Sequence, residues 1–338
     1  MFATILKMLL RRFLVAIPTL FVVAALLFVV LRLLPVDPAA MSLPPNATNE
    51  ELAAMREAMG LNRPLPVQFF IWLGQLLSGD FGLSIQLRQP VRTLVSEALP
   101  ATIELAFLSM IVATIAGIAG GLLAFHFRGR PTEAALDLSS IVMLSLPEFL
   151  WALLLMLVFG VWLQWLPFML RLDPDIQRPF ITGFLLLDTL LAGRPDAFFS
   201  ALRHMVLPCL ALGLSAAPAI MRVLRSSLLD VYQEDYIHQA RLRGLTERRV
   251  LLRHGLKNAI LPTISLMGVQ FGFLFGGTLL VEVIFSYPGL GNLMIDAIRN
   301  VDLPVIQIVG LTYCIMVLLI STVVDVLYLV LNPKLRVR

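Results

Sequence analysis

Residues 236–262 read YIHQARLRGLTERRVLLRHGLKNAILP, a strongly basic segment between two apolar runs that are long enough to cross a membrane. Glu247 is its only acid, and its arginine and lysine residues are Arg241, Arg243, Arg248, Arg249, Arg253 and Lys257. An excess of basic residues beside a membrane span marks the cytoplasmic side. We therefore predict a cytoplasmic loop that binds another protein.

Two small residues within this segment indicate how the partner would approach. Ala240 and Gly244 stand four residues apart, and residues with this spacing share one face of a helix. Their small side chains would leave a shallow notch, beside which Arg241 and Arg243 could pair with carboxylates. The sequence thus predicts a docking helix with a notch and two polar anchors.

The composition of the chain independently predicts a membrane protein. Of its 338 residues 59% are hydrophobic and only 14% are charged, which is more apolar surface than a soluble core would bury. The net charge of +4 comes from arginines at the ends of apolar segments, so membrane topology explains it better than nucleic-acid binding. Cys209 and Cys314 lie in apolar segments without a CxxC spacing, which argues against a disulfide framework or a metal site.

Six segments reach the length of about 20 apolar residues that a membrane-spanning helix needs. They are 13–34, 103–125, 140–166, 205–228, 261–285 and 305–331. We therefore predict an all-α polytopic fold with six transmembrane helices. The first apolar run is too long for the core of a signal peptide and is expected to be retained as a span.

Basic clusters predict the orientation of these spans. They occur before the first span, after the second, after the fourth and after the sixth: Lys7, Arg11 and Arg12; Arg128 and Arg130; the segment 236–262; and Lys334, Arg336 and Arg338. With an even number of spans, all four clusters lie on one side of the membrane. Both termini are therefore predicted to be cytoplasmic.

The long connection 35–100 is predicted to be an extracytoplasmic region with structure of its own. Thr48 and Glu51 have the spacing of a capping box, which opens a helix, and Gly60 can close it. The segment 180–191 is predicted to be an interfacial or re-entrant helix on the outer side. The chain is thus divided into 1–34 with the first span, the extracytoplasmic region 35–100, and a core 101–338 that contains the basic loop 229–260.

The fifth span carries the candidate residues for a pathway through the membrane. Gly268, Gly272 and Gly276 recur every four residues and align on one face, Gln270 lies beside them, and Glu282 sits near the outer end. Such a face forms either a close packing seam between helices or a wall of a translocation pathway. Five other ionisable residues raise the same question, and most of them are expected to reach the interface or to pair locally; they are Glu104, Glu148, Arg222, Arg225 and Asp325.

Patterns typical of catalysis are missing from the sequence. The only lysines are Lys7, Lys257 and Lys334, and none belongs to a phosphate-binding G-x-x-x-x-G-K-[ST] loop. The four histidines have no metal-ligand spacing, and no G-x-S-x-G or H-E-x-x-H motif occurs. We therefore expect a chain that is not an enzyme and holds no cofactor or metal of its own.

The segment 240–262, with A-R-L-R-G-L followed by H-G-L-K-N-A-I-L-P, resembles the signature loop of binding-protein-dependent ABC importer permeases. The similarity is specific to the oligopeptide/dipeptide/nickel branch and to the first of its two permeases. Further motifs of that branch occur in the same order: RRFLVAIPTL at 11–20, GLNRPLPVQF at 60–69, GDFGLS at 79–84, LPATIELA at 99–106 and VEVIFSYPGLG at 281–291.

The resemblance implies a type I ABC permease fold and a set of partners. These would be a homologous second permease, two ABC ATPase subunits that bind ATP and Mg²⁺, an extracytoplasmic substrate-binding protein and the bilayer of a bacterial inner membrane. Tyr236 and Leu245 would form the apolar rim of the notch that meets the ATPase, and Asn258 and Pro262 would turn the chain back into the fifth span.

The implied function is import of di- or oligopeptides, and several alternatives stay open. Members of the same branch import nickel complexes, glutathione or sugar conjugates. From other classes, a secondary transporter would commonly show an internal repeat, and we find no convincing one. A membrane scaffold could use the same basic loop to recruit a soluble partner.

Overall fold

The fold is described by a computed structural model that covers residues 2–44 and 46–331. The predicted C-terminal basic cluster of Lys334, Arg336 and Arg338 lies outside these residues. The described part is helical, which confirms the all-α prediction. An isolated antiparallel bridge joins Leu83 to Pro90.

The helices follow one another along the chain with bounds that differ from the predicted spans by several residues. In the first half they are α1 (Phe2–Arg32), α2 (Pro38–Ser42), α3 (Asn49–Ala58), α4 (Leu65–Leu77), α5 (Val91–His126), α6 (Pro131–Ser145) and α7 (Glu148–Leu155), which continues as a π-helical segment, Met156–Trp162. In the second half they are α8 (Leu185–Leu191), α9 (Pro195–Val231), α10 (Asp235–Leu242), α11 (Glu247–Arg249), a π-helical segment (Val250–Gly255), α12 (Leu256–Ile284), α13 (Leu290–Arg299) and α14 (Leu303–Leu331).

Within the described residues, five of the predicted spans correspond to long apolar helices, and the third does not. Helices α1, α5, α9, α12 and α14 are long and apolar enough to cross a membrane. The predicted span 140–166 is instead divided between α6 and α7, which are bent by 101°. Pro147 explains the break, because proline lacks an N–H and forces the preceding Leu146 into its observed extended conformation. The chain reaches six spans when this bent pair is counted as one.

The centre of the bundle is a close contact between α5 and α9. A Cβ atom placed on Gly117 would come within 2.9 Å of the Ala217 carbonyl oxygen, and one on Gly121 within 3.1 Å of the Leu224 Cβ. Because glycine has no Cβ, the two backbones can approach this closely. The glycine pair in the second predicted span is therefore a packing seam.

The predicted extracytoplasmic region contains the short helices α2, α3 and α4. Thr48 and Glu51 form the predicted capping box, and Gly60, with φ +67°, follows the end of α3 as predicted. Helix α5 already begins at Val91, so it passes through the predicted boundary at residue 100.

The predicted outer helix at 180–191 is short, since only Leu185–Leu191 is helical. The buried Asp188 side chain accepts hydrogen bonds from the backbone N–H groups of Ile181, Thr182 and Gly183 at 3.2, 2.8 and 2.9 Å. This carboxylate holds the loop before α8 in place, so the segment is a folded loop with one helix of two turns.

Candidate functional site

The basic loop folds as a short helix, a tight turn and a π-helical segment between α9 and α12. Helix α10 packs its inner face on the segment that follows, where Ile237, Ala240 and Val250 form a buried cluster. Ala240 therefore points into the protein and is covered. The predicted notch at Ala240 is wrong, because the small side chain serves packing inside the loop.

Gly244 lies outside α10, so the prediction that it shares a helical face with Ala240 is also wrong. Its φ of +75° is left-handed, a conformation that glycine adopts without the steric cost of a Cβ. The N–H of Leu245 bonds to the Ala240 carbonyl at 3.3 Å, and that of Gly244 bonds to the Arg241 carbonyl at 2.9 Å. These two bonds form a Schellman motif, which ends the helix and packs Leu245 beside Ala240.

The two predicted polar anchors differ in what they contact. Arg241 is engaged within the loop, since its Nε donates to Glu247 Oε1 at 2.7 Å and its guanidinium lies 5.3 Å from the centre of the Tyr232 ring. The hydrogen bond to the Glu247 carboxylate raises the pKa of Arg241. Arg243 is exposed at the end of α10 and is the anchor that remains available to a partner.

The most exposed apolar side chain of this loop is Leu242, which is not among the predicted site residues. Leu242 is 84% exposed and stands directly before Arg243 at the tip of α10. Together with the exposed Arg243, it offers a partner one apolar and one charged contact at the same point. In the sequence, its position between Arg241 and Arg243 could have indicated that it is exposed. We call Leu242, Arg243 and Gly244 the α10 tip.

Tyr236 and Asn258 connect α10 to the following span. The Asn258 side-chain amide donates a hydrogen bond of 2.7 Å to the Tyr236 hydroxyl. Asn258 and Pro262 both lie inside α12, so the prediction that they turn the chain is wrong. The chain turns instead at Gly244, and from Glu247 it is continuously helical into α12.

The three aligned glycines of α12 do not act as one surface. A Cβ on Gly268 would overlap Val324 of α14, so Gly268 belongs to a packing seam. A Cβ placed on Gly272 or on Gly276 would meet no described atom within 4 Å, and Gly276 is exposed. The stripe therefore combines one tight contact with two open positions.

Glu282 is a structural carboxylate buried between α5, α12 and α13. It accepts hydrogen bonds from the Thr102 hydroxyl at 2.7 Å and from the N–H groups of Gly291 and Asn292 at 2.7 and 3.2 Å. The Thr102 oxygen in turn accepts the N–H of Leu290 at 2.8 Å. Together Glu282 and Thr102 accept hydrogen bonds from the backbone N–H groups in the first turn of α13, which have no partner within the helix. Glu282 therefore lies in a packing seam between helices.

Three of the five other ionisable residues, Glu104, Arg225 and Asp325, form ion pairs, and their partners are distant in the sequence and not local. Glu104 forms a buried ion pair with Arg171, Asp325 pairs with Arg12 of α1, and Arg225 Nη1 lies 2.6 Å from Asp137 Oδ1. Each charge is compensated by a partner on another segment. These pairs therefore link elements of the bundle.

Gln270 lies on a different side of α12 from the glycine stripe. It lines a cavity of about 270 Å³ between α12, α9 and the break of α6 and α7, together with Ser215 and Glu148. Gly277 faces the same cavity, and a Cβ there would come within 3.0 Å of Glu148 Oε1. Within the described residues, no group of three or more His, Cys, Asp or Glu side chains could hold a metal ion.

Two protein-family profiles together match almost the whole chain. Residues 113–337 match the family profile described as "Binding-protein-dependent transport system inner membrane component". Residues 5–106 match the profile of the N-terminal part of such membrane components.

Similar curated proteins and a solved structure agree with these matches. The chain is 39% identical over 328 residues to the "Glutathione transport system permease protein GsiC" of Salmonella typhimurium, which covers 97% of this chain and 98% of the relative. It is 37% identical over 327 residues to the "Di/tripeptide transport system permease protein DppB" of Pseudomonas aeruginosa, with coverage of 96% and 97%. An inward-facing structure of the MetNI methionine ABC transporter matches with a TM-score of 0.53 and 17% identity, over 72% of this chain and 98% of that chain. At this identity the last match bears on the fold alone.

Proposed function

This chain belongs to the family of binding-protein-dependent transport system inner membrane components, and we propose that it forms, with a homologous second permease, the pathway of an ATP-driven importer for short peptides. The similarity to a di/tripeptide permease and to a glutathione permease supports this cargo. Glutathione is the second candidate cargo, because the chain is also similar to a glutathione permease. Membership of this family argues against the two alternative interpretations of the chain, a secondary transporter and a membrane scaffold.

The α10 tip is the proposed contact with the ATPase subunits. It offers an exposed leucine, an exposed arginine and a glycine turn, which together fit an apolar groove with acidic margins. Since the sequence lacks a phosphate-binding loop, ATP and Mg²⁺ would be bound by two partner ATPases. The chain itself would change conformation during transport but would not hydrolyse ATP.

The loop is connected to the bundle in a way that supports transmission of movement. Ile237 and Ala240 pack on Val250 ahead of α12, and Tyr236 is bonded to Asn258 inside α12. A displacement of α10 by the ATPases would therefore carry the start of α12 with it. Such coupled rigid elements are how a change at one site moves a bundle between two packing states.

The proposed orientation places the α10 tip in the cytoplasm and α2, α3 and α4 outside, where an extracytoplasmic binding protein would deliver the peptide. The excess of arginine around α10 supports this orientation. In a bacterial inner membrane, both termini would then be cytoplasmic. A cysteine at the exposed Gln86 is expected to react with an impermeant thiol reagent in intact cells, whereas one at the exposed Thr246 is not.

ATP-dependent uptake in reconstituted vesicles tests the function. The chain would be reconstituted with its second permease, its ATPases and its binding protein, and uptake of labelled dipeptide, tripeptide and glutathione would be measured. We expect uptake of at least one of these peptides that requires both ATP and the binding protein. Absence of uptake of all three in an assembled, ATP-hydrolysing complex would contradict peptide import.

A further inference from the structure

The cavity beside Gln270 lies at the middle of the bundle. Ser215 is the 21st of the 37 residues of α9, and Gln270 is the 15th of the 29 residues of α12. At 1.5 Å per helical residue, both side chains are about 20 to 30 Å from either end of their helices. The cavity is therefore at membrane depth, far from both headgroup regions.

Two polar side chains in this cavity have no partner among the described residues. Glu148 has neither a hydrogen bond nor an ion pair there, and Gln270 has no hydrogen bond. Glu148 is therefore not one of the residues that pair locally. By contrast, Glu104 and Glu282 are both paired or hydrogen-bonded within the bundle. Glu148 and Gln270 are only partly buried, and polar groups at membrane depth commonly line a path for a polar ligand.

The cavity carries one negative charge. Among the described residues that line it, Glu148 alone is ionisable, and the remaining lining is apolar or neutral, including Leu212 and Phe273. Glu148 is also the first residue of α7, directly after the bend at Pro147. Gly277 leaves room for that carboxylate, as a Cβ there would crowd it. A cationic ligand group is therefore the complement of this site.

A primary ammonium fits these groups better than a metal ion does. It has three N–H donors, and the cavity offers acceptors on Glu148, on the Gln270 amide and on Ser215, whose hydroxyl proton is used in a bond to the Leu212 carbonyl. A metal ion would require more anionic or imidazole ligands than one carboxylate supplies. The cavity volume of about 270 Å³ is sufficient for one terminal residue of a peptide.

We propose that this cavity binds the protonated amino terminus of a peptide in transit, with Glu148 as the counter-ion and Gln270 and Ser215 as hydrogen-bond acceptors. The apolar lining from Leu212 and Phe273 accommodates the first side chain. This assignment rests on the proposed function, since it specifies which end of the peptide the pathway recognises. It also explains why a carboxylate without a partner among the described residues stands at the break between α6 and α7.

Thiol chemistry at Ser215 tests the site without requiring transport. In the assembled complex with Cys209→Ala and Cys314→Ala, the Ser215→Cys thiol is treated with a cationic aminoethyl or with a neutral ethyl methanethiosulfonate. We expect Glu148 to accelerate the reaction with the cationic reagent. Glu148→Gln should therefore lower the ratio of the cationic to the neutral reaction rate by about tenfold. Glu97→Gln, which removes an exposed carboxylate from α5 outside the cavity, serves as the matched control and should leave the ratio unchanged. An unchanged ratio in Glu148→Gln would overturn the assignment.

Protection by peptides tests the ligand chemistry at the same thiol. A dipeptide with a free amino terminus should slow the neutral reagent, and its N-acetylated form should not. Glu148→Gln should abolish that difference, whereas Glu148→Asp should restore part of it. Equal protection by the two peptides in the Ser215→Cys protein that retains Glu148 would refute recognition of the amino terminus.

The uptake measurement separates this proposal from the proposed function. If the vesicles take up peptide while both thiol tests are negative, peptide import stands and the amino-terminal site is rejected. If the vesicles take up no peptide, import of peptides is rejected and the assignment of this cavity falls with it. Glu148→Gln keeps the size of the side chain, so a change in its uptake can be compared at equal amounts of assembled complex.

Discussion

The hydroxyl of Tyr236 accepts a hydrogen bond of 2.7 Å from the side-chain amide of Asn258, and this bond joins α10 to α12. The two residues are 22 positions apart, on either side of the turn at Gly244 and the π-helical segment. Because both side chains are partly exposed, the bond contributes little to the overall stability of the bundle. Its consequence is mechanical, since it fixes the position of α10 relative to a membrane span.

Removal of this bond is expected to reduce transport per ATP hydrolysed. Tyr236→Phe and Asn258→Ala each delete one partner, and a loss of about 1 kcal/mol corresponds to about fivefold weaker coupling. The measurement is the ratio of peptide uptake to phosphate release in reconstituted vesicles. The double variant should be no worse than either single variant, because they remove the same interaction. Additive losses would show that the residues act separately.

Leu242 is expected to be the main apolar contact of the α10 tip with an ATPase. Leu242→Asp should lower the amount of ATPase that co-purifies with the tagged permease by at least about tenfold, since burial of a leucine stabilises an interface by about 1.5–3 kcal/mol. Leu77→Asp is the matched control, because Leu77 is 80% exposed and lies at the end of α4. Comparable recovery of ATPase with the two variants would exclude Leu242 from the interface.

The glycines of α12 are expected to respond differently to the same substitution. Gly268→Ala forces a methyl group into Val324 and should destabilise the packing of α12 on α14 by about 1–3 kcal/mol. Gly272→Ala meets open space in the subunit, so its thermal unfolding in detergent should be unchanged or slightly improved by the better helix propensity of alanine. Equal melting temperatures for the two variants would contradict the division of the glycine stripe into a seam and an open part.

The loop held by Asp188 is expected to lose stability in acid. Burial raises the pKa of Asp188, but hydrogen bonds from the Thr182 hydroxyl and from the N–H groups of Thr182, Ile181 and Gly183 outweigh it, so the folded pKa is lowered. A lowered folded pKa means that the stabilisation is present above the unfolded pKa of about 3.9 and is lost as the pH falls through the folded value. The melting temperature of the intact chain should therefore exceed that of Asp188→Asn at pH 7, and the gap should narrow below about pH 4. A gap that stays constant down to pH 2 would contradict this role.

Features that depend on neighbouring residues along the chain were predicted from the sequence. The apolar runs identify the spans, because a helix satisfies its own backbone hydrogen bonds and needs only sufficient apolar length to lie in lipid. The capping box of Thr48 and Glu51 and the turn at Gly60 were predicted for the same reason, as each involves groups within a few residues of one another. The break at Pro147 also has a local cause, although the prediction of one continuous span overlooked it.

Which face of each helix is covered was decided by tertiary structure. Ala240 is buried by Val250, and Gly268 differs from Gly272 because Val324 of another helix lies against only one of them. Glu282 caps α13 with the help of Thr102, 180 residues away in the sequence. The cavity likewise exists because the bend at Pro147 brings Glu148 against α12 beside Gln270. Helical periodicity places residues on a common face, but the contacts of that face depend on the packing of helices that are distant in the sequence.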